Sequence, residues 1–320
     1  MRTFSCPSCD ARVFFNDAVC LRCGTAIGYV PATDVFACAD ADTYVRCEAD
    51  LLGVGACNWL VDRSHGGFCL SCRLVEVNAD LRNDDDTVTF REALRRVSRQ
   101  FHRLGIDPTS SHPKLRFRLD RSTDDHPVTI GHEDGLVTLD LREADPVARE
   151  RTREALSEPY RTPLGHVRHE SGHWHWQSAI ASDPARLELF RSFFGDERID
   201  YSESLQLHYA TDDDGAWRGE FHSNYAAAHP WEDYAESFAH VLHMLDTIET
   251  AHAEGLVPQI PTSFDELHTE WARVTVALNE LSRSMGVPDP YPFAPPDSAV
   301  VKMSFIYDVL TTPVGPSVEA

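Results

Sequence analysis

The chain has no run of about eighteen apolar residues, no apolar stretch behind its amino-terminal MRTFSCPSCD, and no cysteine after residue 72. The first absence excludes a membrane-spanning helix and the second a secretory leader, so a soluble, cytoplasmic protein is the expectation. A basic surplus is missing too: 29 Lys and Arg against 51 Asp and Glu leave a formal charge of −22. Without a local basic patch, that balance argues against nucleic acid and anionic membranes as partners. No internal repeat and no long low-complexity segment is present. What is there is 320 residues with 42% hydrophobic content, enough for one large domain and a small one.

All nine cysteines crowd into the first 72 residues. In a reducing compartment such clustering points to metal rather than to disulfides. Cys6, Cys9, Cys20 and Cys23 read C-x2-C-x10-C-x2-C, two knuckles separated by a loop long enough for a β-hairpin. Each knuckle supplies two sulfurs from one tight bend, which suits a tetrahedral zinc. Cys47, Cys57, Cys69 and Cys72 form a second set whose last pair is again a knuckle. Cys38 is left over, read as a small buried apolar side chain, although it could replace Cys47 or Cys57 as a ligand. Four protein ligands close each site, so both zincs are expected to be structural and to supply much of the folding free energy of this short region.

Residues 1–77 are therefore expected to form a zinc-ribbon β domain with two four-cysteine zinc sites, 78–88 ("NADLRNDDDTV") a linker, and 89–320 a second domain. There the spacing predicts helices over 89–104, 143–157, 162–182, 184–194, 200–210, 231–250, 264–284 and 297–310. Alternation predicts strands over 114–120 and 136–141, with "HEDG" as the turn before the second. The fold class is α+β, mostly helical with a small sheet.

"RHESGHWHWQ" (168–177) places His169 and His173 one turn apart on a helix, with Glu170 beside the first. Two imidazoles on one face can share an ion, and the glutamate can take a proton from water at its open position, the zincin arrangement. His166 lies about 10 Å along the axis from His173, too far for both to bind one ion, and is read as a surface residue or a hydrogen-bond donor to the site. His175, Trp174 and Trp176 are read as structural. A third ligand is offered by "HPWEDYAESFAHVLHMLD" (229–246), where an apolar stripe of Trp231, Tyr234, Ala235, Phe238, Val241, Leu242 and Leu245 opposes Glu232, Glu236, His240 and His243. Glu232 as ligand and Glu236 as hydrogen-bond partner of a ligand histidine meet the need, with their exchange, or Asp233, left open by spacing.

These segments, with "CPSC…CLRCG" and "CNWLVD…FCLSC", resemble the bacterial zinc-binding metallopeptidases that carry an amino-terminal zinc-ribbon region. The resemblance runs over nearly the whole chain and implies a gluzincin-type, zincin-like domain with a small twisted sheet beside the active-site helix. It implies one catalytic zinc besides the two structural ones, and a peptide or protein substrate. Tyrosine, six residues, glutamate, three residues, glutamate is similar to the order in lethal-factor-like peptidases; that implies Tyr225 as oxyanion donor, Glu232 as ligand and Glu236 behind a ligand. Thermolysin-like members differ in having aspartate at the position of Glu236. Residues 136–141 are the expected exposed strand for an extended substrate.

Two other readings compete. One is a non-catalytic zinc protein whose ribbons bind a protein partner. The other is a di-iron bundle in which "ESGH" and "ETAH" bring Glu170, His173, Glu249 and His252 together.

Overall fold

The structure is a computed structural model that describes residues 1–39, 42–53, 56–76, 84–155, 160–211 and 213–312. In the amino-terminal region, β1 (Phe4–Ser5) pairs with β2 (Arg12–Val13), β3 (Ile27–Val30) with β4 (Val35–Cys38), and β5 (Tyr44–Arg46) with β6 (Leu60–Asp62), all antiparallel. The four-residue helix α1 (Glu48–Leu51) follows β5. Phe4, Phe15, Tyr29, Phe36 and Trp59 are buried and meet at ring-centroid distances of 5.0 to 6.3 Å, an aromatic core beside the cysteines.

The remainder is built on α2 (Asp85–Arg103), β7 (Arg116–Asp120), β8 (Gly131–Glu133), β9 (Leu136–Asp140), α3 (Pro146–Ala155), α4 (Pro163–His175), α5 (Pro184–Phe194), α6 (Tyr201–Ala210), α7 (Pro230–Ala253), α8 (Phe264–Ser284) and α9 (Asp297–Thr311). The class is α+β. No helix among the described residues is long and apolar enough to cross a membrane.

Several boundaries differ from the sequence expectation for local reasons. Residues 78–83 of the expected linker lie outside the described residues, and 85–88 are helical. Asp84 accepts a hydrogen bond from Thr87 N at 2.9 Å and so starts α2 one turn before its apolar stripe. Leu141–Ala144 form a 3-10 turn ahead of α3. The helix expected over 162–182 is α4 followed by a π-helical segment, Trp176–Ile180. In the three-stranded sheet the order is β7-β9-β8, with β9 parallel to β7 and antiparallel to β8. β9 is thus paired on both sides, which corrects its reading as an exposed strand; the short β8 lies at the edge. Asp134 and Gly135 both have positive φ, 45° and 79°, as a two-residue hairpin turn between β8 and β9 requires.

One crossing positions everything that follows. A Cβ on Gly172 of α4 would lie 2.9 Å from Ala235 Cα of α7, so only glycine lets these backbones approach so closely. Phe101, Trp174 and Phe238, all buried, pack around the crossing.

Candidate metal centre and active site

Thr162 caps α4 by accepting from Gly165 N at 3.0 Å, and Pro163 occupies its first turn. His169, Glu170 and His173 follow on the face toward α7, all buried. Helix α7 starts at Pro230, with His229 Nδ1 accepting from Trp231 N, so Glu232 falls in the first turn where the helix dipole favours a carboxylate.

His169 Nε2 lies 3.0 Å from Glu232 Oε2, and His173 Nε2 lies 3.5 Å from the same oxygen. Ligands about 2.05 Å from a tetrahedral zinc sit about 3.3 Å apart, close to both of these separations. Glu170 also offers an oxygen within 4.8 Å of the two imidazoles. His169 Nδ1 bonds Glu236 Oε1 at 2.8 Å, and Ser223 donates to the other Glu236 oxygen at 3.1 Å. That fixes the imidazole's orientation and directs Nε2 at Glu232. Asp233 does not share the site: it is fully buried against Lys302 Nζ at 2.6 Å.

Around this core are groups that sequence reasoning missed. Tyr201 donates to Glu232 Oε1 at 2.6 Å, reaching in from α6. Trp231 covers the His173 ring at 4.2 Å between centroids, and His132 of β8 stacks on the same ring at 6.4 Å. His166 is not a surface residue. It is mostly buried, with Nδ1 2.6 Å from Glu143 Oε2 and Nε2 3.3 Å from Glu170 Oε1, while Arg161 pairs with Glu143 from the other side. Burial alone would lower the His166 pKa, but Glu143 and Glu170 outweigh it and raise it to about 9; burial would raise Glu143, yet His166 and Arg161 hold it at about 2. Glu170 is held below the usual carboxylate range: burial opposes ionisation, and the His166 hydrogen bond with the neighbouring imidazole charges overcomes it. Its Oε1 faces His166 and its buried Oε2 has no hydrogen-bond partner among the described residues. The only sequence signal for His166 was its one-turn spacing from Glu170; Glu143 and Tyr201 lie in other elements and carried none.

Tyr225, in the 3-10 segment Tyr225–Ala228, has its ring 6.0 Å from that of His169. Burial and the Glu232 charge push its hydroxyl well above the ordinary range, so it stays protonated and able to donate. A cavity of about 330 Å³ opens beside His169 and Glu170, lined also by Ile130, Tyr160, Tyr225, His240, Tyr291 and Phe293. His175 is buried with Nδ1 2.9 Å from Tyr234 Oη, and Trp174 Nε1 donates to Pro113 O, both away from the centre.

The di-iron grouping does not form. Glu249 bonds Arg99 at 2.7 Å and His252 Nδ1 lies 3.0 Å from Val257 O; neither lines the cavity. On α7 the seventeen residues from Glu232 to Glu249 span about 25 Å, which no single site bridges.

In the ribbons, Cys6–Cys23, Cys9–Cys20 and Cys57–Cys69 sulfurs are each 3.7 Å apart. Disulfide sulfurs sit about 2.05 Å apart, whereas four sulfurs about 2.3 Å from a tetrahedral zinc are separated by about 3.8 Å. Cys6, Cys9, Cys20 and Cys23 form one group and Cys47, Cys57, Cys69 and Cys72 a second, each with ligand atoms within 4.8 Å. Backbone N–H groups of Ser8, Cys69 and Cys72 point at sulfurs of Cys6, Cys47 and Cys69. Cys38 belongs to neither group, its sulfur lying 3.6 Å from Ser8 Oγ.

A family model described as "Putative zinc-binding metallo-peptidase" matches residues 85–309, and a zinc-ribbon domain model matches residues 3–83. Uncharacterised proteins of Mycobacterium tuberculosis and Mycobacterium bovis are each 38% identical over 97% of this chain and 95% of their own length. No solved structure matches it.

Proposed function

Because the chain belongs to the metallo-peptidase family whose model covers residues 85–309, we propose that it is a zinc-dependent peptidase with Glu170 as general base. The observation that carries the reading is the convergence of His169 Nε2, His173 Nε2 and Glu232 Oε2, both nitrogens lying within 3.5 Å of that oxygen, beside a Glu170 oxygen left without a partner. His169, His173 and Glu232 would hold the catalytic zinc, and each four-cysteine group a structural one. A zinc ion so held supplies Lewis acidity, making water easier to deprotonate and a carbonyl more electrophilic.

The chain's own groups carry the proton and the positioning. Glu170 Oε2 takes the proton from the attacking water and returns it to the leaving amine. His166, clamped by Glu143, holds Glu170 Oε1 and leaves the other oxygen for this exchange. Glu236 keeps the His169 ring turned toward Glu232, and Tyr201 does the same for the Glu232 carboxylate. Tyr225 donates to the carbonyl oxygen as charge develops there. The peptide would lie along the outer side of β8, the edge strand next to His173, in place of the β9 pairing read from sequence.

Cleavage profiling of a proteome-derived peptide library tests this, wild type against Glu170→Gln at equal zinc content. Cuts made by the wild type and absent from the variant support it; a library equally uncut by both sinks it. A second reading, a partner-binding role for the ribbons, is favoured by Leu21 and Phe14, which stand 91% and 60% exposed in the first ribbon. Such a role survives Glu170→Gln.

A further inference from the structure

The two cysteine groups have unlike surroundings. At the first, Cys23 is exposed and Cys9 half-buried, and no arginine bonds a sulfur among the described residues. At the second, all four cysteines are buried. There Arg91 Nη2 donates to Cys72 Sγ at 2.8 Å. Arg95, one turn further along α2 and 2% exposed, has its Nε and Nη1 without a hydrogen-bond partner among the described residues. Its charge bears on Cys57, whose thiolate it favours. The Asp50 carboxylate lies within its electrostatic reach but is at ion-pair distance from Arg46, at 4.0 Å.

Arg91, Arg95, Arg99 and Arg103 recur every four residues and so form one ridge of α2. Arg99 and Arg103 meet carboxylates: Arg99 bonds Asp34 at 2.8 Å and Glu249 at 2.7 Å, and Arg103 bonds Asp34 at 2.7 Å. Arg91 and Arg95 have no carboxylate at ion-pair distance among the described residues. A buried guanidinium without a counter-charge is costly enough that something in the folded protein must supply one. Four neutral thiols supply none. Four thiolates around a divalent ion leave two negative charges, matching the two guanidiniums; the four thiol protons leave to solvent on loading.

We propose that Arg91 and Arg95 are the counter-charges of a metal held by Cys47, Cys57, Cys69 and Cys72, so that loading this site fastens the ribbon region onto α2 and unloading it releases that seam. The inference rests on the second cysteine group binding metal and is independent of whether the helical site cuts peptides.

Site-resolved thiol labelling tests it. The zinc-loaded full chain is mixed with excess chelator and N-ethylmaleimide, and labelling of each cysteine is followed by peptide mass spectrometry. Arg91→Met should speed labelling of Cys47, Cys57, Cys69 and Cys72 about tenfold or more, as loss of a charged hydrogen-bond partner implies, and Arg95→Met should speed it as well through loss of the neighbouring charge; both should leave Cys6, Cys9, Cys20 and Cys23 at the wild-type rate. Arg95→Lys, which keeps the charge, should stay within about threefold of wild type. Unchanged labelling in both Met variants overturns the proposal, as does an Arg95→Lys variant as fast as Arg95→Met. Immediate labelling of the second group in wild type would refute metal binding itself. Should the Met variants fail to fold, hydrogen exchange on wild type decides: residues 91–103 must lose protection as the second group empties, and retained protection refutes the seam.

Discussion

The ribbon region and the helical domain both gather side chains that could hold a metal, but in opposite order of dependence. In the helical domain a large apolar core fixes two helices, and the crossing at Gly172 then brings His169, His173 and Glu232 together; the proposed ligands are a by-product of packing. In the ribbons the strands run only two to four residues and the core is five aromatic rings, so the cysteine groups stand in for packing that is not there. A site that rests on a core can keep one side open to a cavity. A site that replaces a core must be closed.

That contrast can be broken or sharpened in four ways. The largest effect is expected from Glu170→Gln, a loss of about 10²–10⁴-fold in peptide cleavage with unchanged zinc content and melting temperature, since the role proposed for the residue is in chemistry and not in folding. Steady-state rates beside calorimetry check it, and an equally large drop in stability would erase the distinction. Next, Cys57→Ser should cost several kcal/mol in the ribbon region while α4 and α7 keep their hydrogen-exchange protection, the order of magnitude following from metal-coupled folding. Loss of protection in both regions would show one cooperative unit. Gly172→Ala should cost about 1–3 kcal/mol by forcing α4 from α7, and should weaken zinc retention at the helical site while leaving cysteine labelling unchanged.

The smallest effect concerns acid. Burial favours the neutral forms of Asp34 and Glu249, yet Arg99 outweighs it and holds both below the usual carboxylate range. Their contribution is therefore complete above about pH 4, their ordinary range, and is lost as pH falls through the depressed folded values. Urea denaturation at a series of pH values should show stability falling below about pH 4, with a shallower fall in Asp34→Asn; parallel curves would remove these residues from the seam.

What the sequence disclosed follows from the same contrast. The cysteine spacing and His-Glu-x-x-His are local, and the polar line of Glu232 and Glu236 on an otherwise apolar helix is visible from periodicity alone. Glu143, Tyr201 and His132 reach the centre from three other elements, and only the tertiary arrangement makes them neighbours of His166, Glu232 and His173. β8 is three residues long with no alternation to betray it, so its partner β9 looked like the free edge. The four arginines of α2 are evenly spaced in the sequence, but the carboxylates that Arg99 meets lie 65 positions away at Asp34 and 150 away at Glu249.

The tight crossing of α4 and α7 also decides where this molecule can breathe. Two backbones in contact leave no slack for a hinge, and drawing them apart would scatter His169 Nε2, His173 Nε2 and Glu232 Oε2. Helix α6 is the opposite case: none of its residues is buried, and Tyr201 at its first turn is its hydrogen bond to the centre. Weakly packed elements open at the least free-energy cost, so under the proposed function access to this centre is expected on the α6 side rather than at the α4–α7 crossing.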